Sequence, residues 1–99
     1  MKTPTNSGRS PWGQIQIAEV LAAGLIRVHT AGHGGLWVSP DKAKAAENPG
    51  YLRPGVRWYE EDCEALRVMM AFPSEFPRVK DWAALERDCR HWMDWTPSK

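Results

Sequence analysis

The sequence predicts an α+β fold in which a small antiparallel sheet precedes the helices along the chain. In the first half, apolar and polar residues alternate over short runs separated by glycine-containing links, which is typical of half-buried strands. The second half carries apolar residues at spacings of three and four, the period of an amphipathic helix. We expect three strands, and helices that cover one face of their sheet. The strands lie at about 14–22, 25–30 and 36–39, and the helices at about 40–47, 59–72 and 79–95.

The first strand carries a break in its alternation. Ile15 and Ile17 share a face, but Glu19 continues that face while Val20 falls on the other one. A β-bulge near Ala18 would restore the pattern, and a short helix over 17–22 is the alternative.

The next two strands are joined by the sequence T-A-G-H-G-G-L-W-V-S-P at residues 30–40. In the second strand Ile26 and Val28 share a face, and in the third Leu36 and Val38 lie opposite Trp37. Because the links between the runs are short, an antiparallel meander is favoured.

Each helix has a start signal or an apolar stripe. Ser39 can cap the first helix, followed by a proline and an acid that suit its opening turn. The stripes of the two longer helices are formed by Tyr59, Cys63, Leu66 and Met70, and by Trp82, Leu85, Cys89 and Trp92.

The composition fits one domain and narrows the choice of partners. A chain of 99 residues suits a single core, and residues 1–10, which hold no apolar residue after Met1, predict a flexible segment before a globular domain at 11–99. The formal net charge of +1 gives no general attraction to nucleic acid or an anionic membrane. No stretch resembles a signal peptide or the ~20 apolar residues of a membrane span, so we expect a cytoplasmic protein.

His33 lies between glycines at 32, 34 and 35. One interpretation is a hairpin loop whose turn needs glycine, with a histidine that has no role. The other is a site that presents His33 as an acid or base near neutral pH.

A second candidate is the run W-Y-E-E-D-C at residues 58–63. The acids also suit the opening turn of a helix, and Cys63 on the apolar stripe reads as a buried structural thiol. We name four residues that could take part in catalysis without assigning a reaction: His33, Tyr59, Glu61 and Cys63. The candidate binding residues are His33, Gly34, Gly35, Trp37, Trp58, Tyr59, Glu60, Glu61 and Asp62.

The sequence predicts neither a metal nor a cofactor. No spacing of histidine, cysteine or acidic residues favours a metal site, and no glycine-rich phosphate loop is present.

Three motifs together carry a resemblance. P-W-G at residues 11–13, G-H-G-G followed by a strand and S-P, and W-Y-E-E-D-C resemble a family of small uncharacterised proteins from phages, plasmids and other mobile elements, over about residues 11–73. The resemblance implies a bacterial host cell that carries a mobile element, a setting in which small proteins often inhibit host defence. Together with the small size, the missing catalytic signatures and the six tryptophans, this setting favours stoichiometric binding to a host or phage protein, as an anti-defence inhibitor of the anti-CRISPR kind. If the motifs occur together, they should meet in space. We therefore expect the His33 loop to pack against the N-terminus of a helix at 59–71, with Glu60, Glu61 or Asp62 accepting a hydrogen bond from the imidazole.

Two other functions are kept as alternatives. The first is a small enzyme or nucleotide-binding protein with its site at the His33 loop and residues 59–63. The second is nucleic-acid binding through basic side chains on one face, which the sequence offers at Arg53, Arg57, Arg67, Arg78 and Lys80.

Overall fold

The computed structural model describes the backbone of residues 3–61 and 63–93 and the side chains of residues 3–61 and 64–89. Within these ranges the chain forms six strands and three α-helices. The strands are β1 (Arg9–Ser10), β2 (Gly13–Gln14), β3 (Ile17–Ala22), β4 (Leu25–His29), β5 (Gly34–Val38) and β6 (Trp58–Glu60), and the helices are α1 (Pro40–Lys44), α2 (Cys63–Ala71) and α3 (Trp82–Met93). None of these helices is long and apolar enough to cross a membrane.

The main sheet has the order β3-β4-β5-β6, and every neighbouring pair is antiparallel. The α+β class and the antiparallel meander are confirmed. The predicted number of three strands is wrong, because β6 adds a fourth strand and β1 and β2 form a separate two-stranded sheet.

The predicted helix at 59–72 begins only at Cys63, because residues 58–60 are strand β6. Tyr59 therefore lies opposite Leu36 in the sheet and does not continue the apolar stripe of α2. Pairing with β5 outweighs the helix-start pattern of the acids, as tertiary contacts commonly outweigh local preference. The other helices are shorter than predicted, and residues 94–95 of the last one lie outside the described residues.

Strand β5 separates two apolar clusters. Leu36 and Val38 face α2 and α3 in the larger cluster, while Trp37 packs with Ile26 and Val28 in the smaller one. The helices thus cover one face of the sheet, as expected, and the segment before β3 covers part of the other by contributing buried Ile15.

Residues 3–10 make defined contacts with the rest of the domain. Pro4 is buried, the N–H of Ser7 donates to the carbonyl of Ile15 at 2.8 Å, and the N–H of Ile15 donates to the carbonyl of Gly8 at 2.8 Å. The flexibility predicted for residues 1–10 stays a prediction, and in the structure this segment supplies β1 and part of the cover on the sheet.

The bulge in β3 lies at Leu21, three residues beyond its predicted place at Ala18. Val20 pairs with Ile26 and Ala22 with Leu25, so Leu21 is the additional residue. Leu21 and Ala22 both pack against the larger cluster, whereas Val20 remains exposed.

Among the described side chains, one charged residue is buried in the larger core. Arg67 of α2 is 2% exposed, and its guanidinium donates to the carbonyl of Tyr51 at 3.3 Å. The hydroxyl of Tyr51 donates in turn to the carboxylate of Glu86 on α3. Burial, and then the charge of Arg53, lowers the pKa of Arg67 from its ordinary value. These contacts tie α2 and α3 to the turn at residues 49–51.

The turn between β3 and β4 requires glycine at position 24. Gly24 has φ +80°, and a Cβ there would overlap the hydroxyl of Ser39 and lie 2.9 Å from the Cβ of Lys42. Gly55 has a similar φ of +78°, but nothing lies within 4 Å of the position a Cβ would take.

We predict that Gly24→Ala lowers the free energy of unfolding by roughly 3 kcal/mol. Gly55→Ala should lower it by about 1 kcal/mol, the cost of left-handed backbone alone. Urea unfolding of both variants measures this, and equal losses would show that the packing at Gly24 is unimportant.

Candidate functional site

The three sequence motifs meet on one face of the sheet, around Gly35. The ring of Trp12, from P-W-G, lies directly on Gly35, and a Cβ at this position would overlap both the ring and the carbonyl oxygen of Tyr59. The ring of Trp12 also meets Trp58, with centroids 5.6 Å apart and planes at 89°, an edge-to-face contact. Glycine at position 35 is therefore required by the close approach of Trp12 and of strand β6.

Gly34 is also constrained by its neighbours. A Cβ there would lie 2.7 Å from the carbonyl oxygen of Val28 and 3.2 Å from a carboxylate oxygen of Glu61. Neither Gly32, Gly34 nor Gly35 has positive φ; the described glycines with positive φ are Gly13, Gly24 and Gly55. The interpretation that this loop needs glycine for its turn conformation is thus wrong, and packing is the reason at positions 34 and 35.

The loop that carries His33 is closed by Thr30. The backbone N–H of Thr30 donates to the carbonyl of His33 at 2.9 Å, and its hydroxyl donates to the same carbonyl at 2.8 Å. The N–H of His33 donates to the Thr30 hydroxyl at 3.2 Å. These three bonds fix the backbone of His33 while its side chain remains 61% exposed.

His33 and Glu60 lie close together, but without the hydrogen bond that the motifs led us to expect. Nδ1 of His33 lies 3.8 Å from Oε1 of Glu60, which is ion-pair range but longer than a hydrogen bond. The contact arises across the β5–β6 pair and not at a helix start. Glu61 instead lies beside Gly34, with its N–H donating to the Gly34 carbonyl at 2.9 Å. Asp62 lies outside the described residues.

Tyr59 is a core residue. Its side chain is fully buried, its hydroxyl accepts from the N–H of Arg53 at 2.9 Å, and burial raises its pKa above the ordinary value. Because alternate strand residues point to opposite faces, Tyr59 and Glu60 do not face the same space. The structure therefore does not join His33 and Tyr59 in one pocket, and the side chain of Cys63 lies outside the described residues.

The remaining predicted binding residues divide by exposure. Gly34, Gly35 and Trp37 are buried, Trp58 is half-buried, and His33, Glu60 and Glu61 are exposed. A partner at this end of the sheet would contact the last three. The cavity that Glu61 lines, between the sheet and α2, holds about 160 Å³. Ligand pockets are usually ~300 Å³ or more, so this cavity is too small for a nucleotide.

The five basic residues proposed for nucleic-acid binding are not all accessible. Arg67 is buried, and Arg53 pairs with Glu64 at 3.3 Å. Arg78 and Lys80 are exposed and Arg57 is half-buried. Among the residues that the structure describes, no group of three or more histidine, cysteine, aspartate or glutamate side chains is placed to hold a metal ion.

The outer edge of β3 is a candidate surface that the sequence analysis missed. The N–H of Ala18 faces away from β4 and donates to the side-chain oxygen of Asn6 at 2.7 Å. Because backbone direction alternates along a strand, the N–H and C=O of Val20 face outward as well. Ile17 and Val20, with exposures of 56% and 69%, are the large apolar side chains left exposed among the described residues. The phase break at Val20 was the available signal, and it was interpreted as a bulge or a short helix and not as an exposed edge.

A cleft of about 460 Å³ lies beside this edge. Its apolar lining comes from Leu21, Met69, Phe76, Pro77 and Val79, and its charged lining from Glu19, Arg27, Glu75 and Arg78. Glu19 pairs with Arg27 at 3.7 Å, and Glu75 pairs with Lys42 at 3.1 Å. Among the described side chains, Arg78 is the charged residue of this cleft that makes no ion pair.

Comparison with known proteins places the chain in an uncharacterised family. A family described as a domain of unknown function (DUF7007) matches residues 5–98, and the chain belongs to it. The match includes α3, which lies beyond the residues 11–73 that carry the motif resemblance. No curated protein and no solved structure matches the chain.

The packing at Gly35 can be tested against its neighbour in the same motif. We predict that Gly35→Ala lowers the free energy of unfolding by roughly 3 kcal/mol, since the new methyl group overlaps Trp12 and the backbone of Tyr59. Gly32→Ala is the matched control, because nothing lies within 4 Å of a Cβ there, and we expect a change within about 1 kcal/mol. Urea unfolding and the fluorescence of the packed tryptophans measure both, and an unchanged Gly35→Ala protein would contradict the Trp12 contact.

Proposed function

We propose that this protein acts by stoichiometric binding to a partner protein, and that the partner adds an extended segment to the outer edge of β3. The observation that carries the proposal is the exposure of Ile17 and Val20 on a strand that lies at the edge of the main sheet. Main-chain pairing at a sheet edge is a general mode of peptide recognition, in which side-chain pockets add specificity.

The β3 edge offers backbone hydrogen bonds at a defined place. The alternation of backbone direction along β3 turns the C=O of Ala18 and the N–H and C=O of Val20 to the outer edge, where the N–H of Ala18 is bonded to Asn6. Asn6 limits pairing at one end, and the bulge at Leu21 limits it at the other. An incoming strand is therefore held in register at Val20.

The exposed side chains add to this backbone pairing. Proteins usually protect a sheet edge with charges, proline or bulges, since an exposed apolar edge strand favours aggregation. Here the bulge shortens the edge, but Ile17 and Val20 remain in solvent on its two faces. An added strand would cover part of both side chains, and fully burying a valine or isoleucine contributes about 1.5 to 3 kcal/mol.

We propose that the partner is a host or phage protein and that binding inhibits a host defence system, as anti-CRISPR proteins do. The support is the resemblance of the P-W-G, G-H-G-G and W-Y-E-E-D-C motifs to small proteins of mobile elements. The structure adds that these motifs form one packed unit around Gly35, on a different part of the sheet from the β3 edge. In this proposal the motifs build the scaffold and β3 makes the contact.

The proposal predicts that Val20→Pro weakens binding while the domain stays folded. Proline lacks the N–H that an incoming strand needs, but this N–H faces away from β4, where an edge strand tolerates proline. We expect affinity to fall by about tenfold or more, corresponding to ~1.4 kcal/mol for one hydrogen bond and the clash of the ring. Immobilised wild-type and variant proteins are compared for partner retention from a host lysate, and the stoichiometry of the retained complex is measured by light scattering.

Val20→Thr is the matched control, because it keeps the N–H, the β-branched shape and most of the exposed surface. Circular dichroism and thermal unfolding establish that both variants are folded. A partner retained equally by wild-type protein and folded Val20→Pro would refute the β3 proposal.

The inhibitory role has its own test. We predict that cells carrying an active CRISPR system become sensitive to a targeted phage when they express the wild-type protein, and remain resistant when they express Val20→Pro. Plaque counts measure this, with a strain lacking the CRISPR system as the control for general toxicity. If cells that express the wild-type protein stay resistant with every defence system tested, the anti-defence role is refuted. The retention assay would still decide whether the protein binds a partner through β3.

A further inference from the structure

The cleft beside β3 limits which segment can be added there. We infer that the bound segment carries a large apolar side chain and an acidic side chain two residues apart, both directed into this cleft, with the acid paired to Arg78. This inference rests on the proposed strand addition and specifies the chemistry of the partner.

The position of the cleft follows from the strand pairing. Glu19 and Leu21 of β3 line it together with Arg27 of β4 and Met69 of α2, so it lies on the helix-covered face of the sheet. On a strand, residues two apart share a face, and side chains of neighbouring strands stand ~5 Å from each other. Alternate side chains of a segment paired with β3 therefore reach this cleft, and the intervening ones lie on the face of Val20.

The inner part of the cleft selects an apolar side chain. Leu21, Met69 and Val79 are half-buried and Phe76 is buried, so the surface they offer is already partly withdrawn from water. The volume of about 460 Å³ lies within the usual range of ~300–1,000 Å³ for ligand pockets and is large enough for a leucine or an aromatic side chain. Met69 adds adaptability, because methionine fills irregular gaps well.

The charges at the cleft select an acid. The two carboxylates are already paired, Glu19 with Arg27 and Glu75 with Lys42, while Arg78 is exposed and makes no ion pair among the described residues. A basic side chain in the added segment would find no unpaired carboxylate in the cleft and would be repelled by Arg78. A guanidinium binds a carboxylate through two parallel hydrogen bonds, which favours an acidic side chain at this position.

The test uses short synthetic peptides as probes. Each is a threonine-rich extended sequence with one leucine and, two positions away, either glutamate or lysine; both orders are made, because the segment can run in either direction. The peptides are acetylated and amidated, so that no terminal carboxylate can replace the acidic side chain, and they carry a fluorescent label for anisotropy titration. We expect the wild-type protein to bind a glutamate peptide roughly fivefold more tightly than its lysine counterpart, as for an exposed charge pair.

Charge reversal supplies the decisive comparison. Arg78→Glu should reverse the preference, so that the lysine peptide binds more tightly than the glutamate peptide. Lys80→Glu makes the same change of charge at an exposed residue that does not line the cleft, and it should leave the preference for glutamate in place. Val20→Pro should weaken binding of both peptides.

The outcomes separate this inference from the function on which it rests. If no peptide binds, or if Arg78→Glu leaves the preference unchanged, the inferred chemistry is wrong, whereas the retention assay still decides the β3 proposal. The preference could also reverse in Arg78→Glu while Val20→Pro binds both peptides as the wild-type protein does. Arg78 would then recognise the acid without strand addition, and the inference that strand addition delivers the acid to the cleft would be wrong. The lysine peptide is also made with a free carboxyl terminus. If this form binds and the amidated form does not, a chain end and not an acidic side chain occupies the cleft, and the inference is wrong.

Discussion

Strand β5 is buried on both faces, and this constraint determines where the other elements lie. Residues Gly34–Val38 are all withdrawn from solvent, since helices pack on the side of Leu36 while Ile15 and Trp12 cover the side of Trp37 and Gly35. Such a strand needs a neighbour on each edge to satisfy its backbone, and β4 and β6 supply them. Burial also has a cost, because the indole N–H of Trp37 finds no hydrogen-bond partner within the described structure.

The same constraint accounts for the residues that the motifs contain. The indole of Trp12 lies against β5 at a position that has no side chain, which requires glycine at position 35. Trp58 then packs against that indole in an edge-to-face contact. On the other face, β6 places Tyr59 among the helices, where its hydroxyl bonds the backbone of Arg53. The contact between His33 and Glu60 is a consequence of this pairing of β5 with β6, since register alone places Glu60 opposite Gly35, two residues from His33. The motifs are therefore explained by packing, and a chemical role for His33 is not needed to account for them.

The elements that could be predicted are those whose apolar pattern repeats over enough residues to show a period. Strands β4 and β5 follow from alternation, and α3 follows from its stripe of Trp82, Leu85 and Cys89. Strand β6 was missed because three residues are too few to show a period, and because acids after Tyr59 favour a helix start. The burial of Arg67 was missed for a related reason: a single charged residue is normally exposed, and only tertiary contacts such as that with Tyr51 reveal the exception.

Strand β3 differs from β5 in having a partner on one edge alone, and its sequence reflects this. In β5 every side chain is buried, whereas β3 keeps Ile17 and Val20 in solvent, although polar residues at both positions would satisfy the same backbone pairing. The bulge sharpens the contrast, because it turns Leu21 and Ala22 into the core and leaves Val20 outside. An exposed valine is common in a strand, because β-branched residues favour extended backbone, and the strand addition proposed above would in addition bury this side chain. In the proposed complex, an added segment would give β3 the second strand neighbour that β5 already has in β4 and β6.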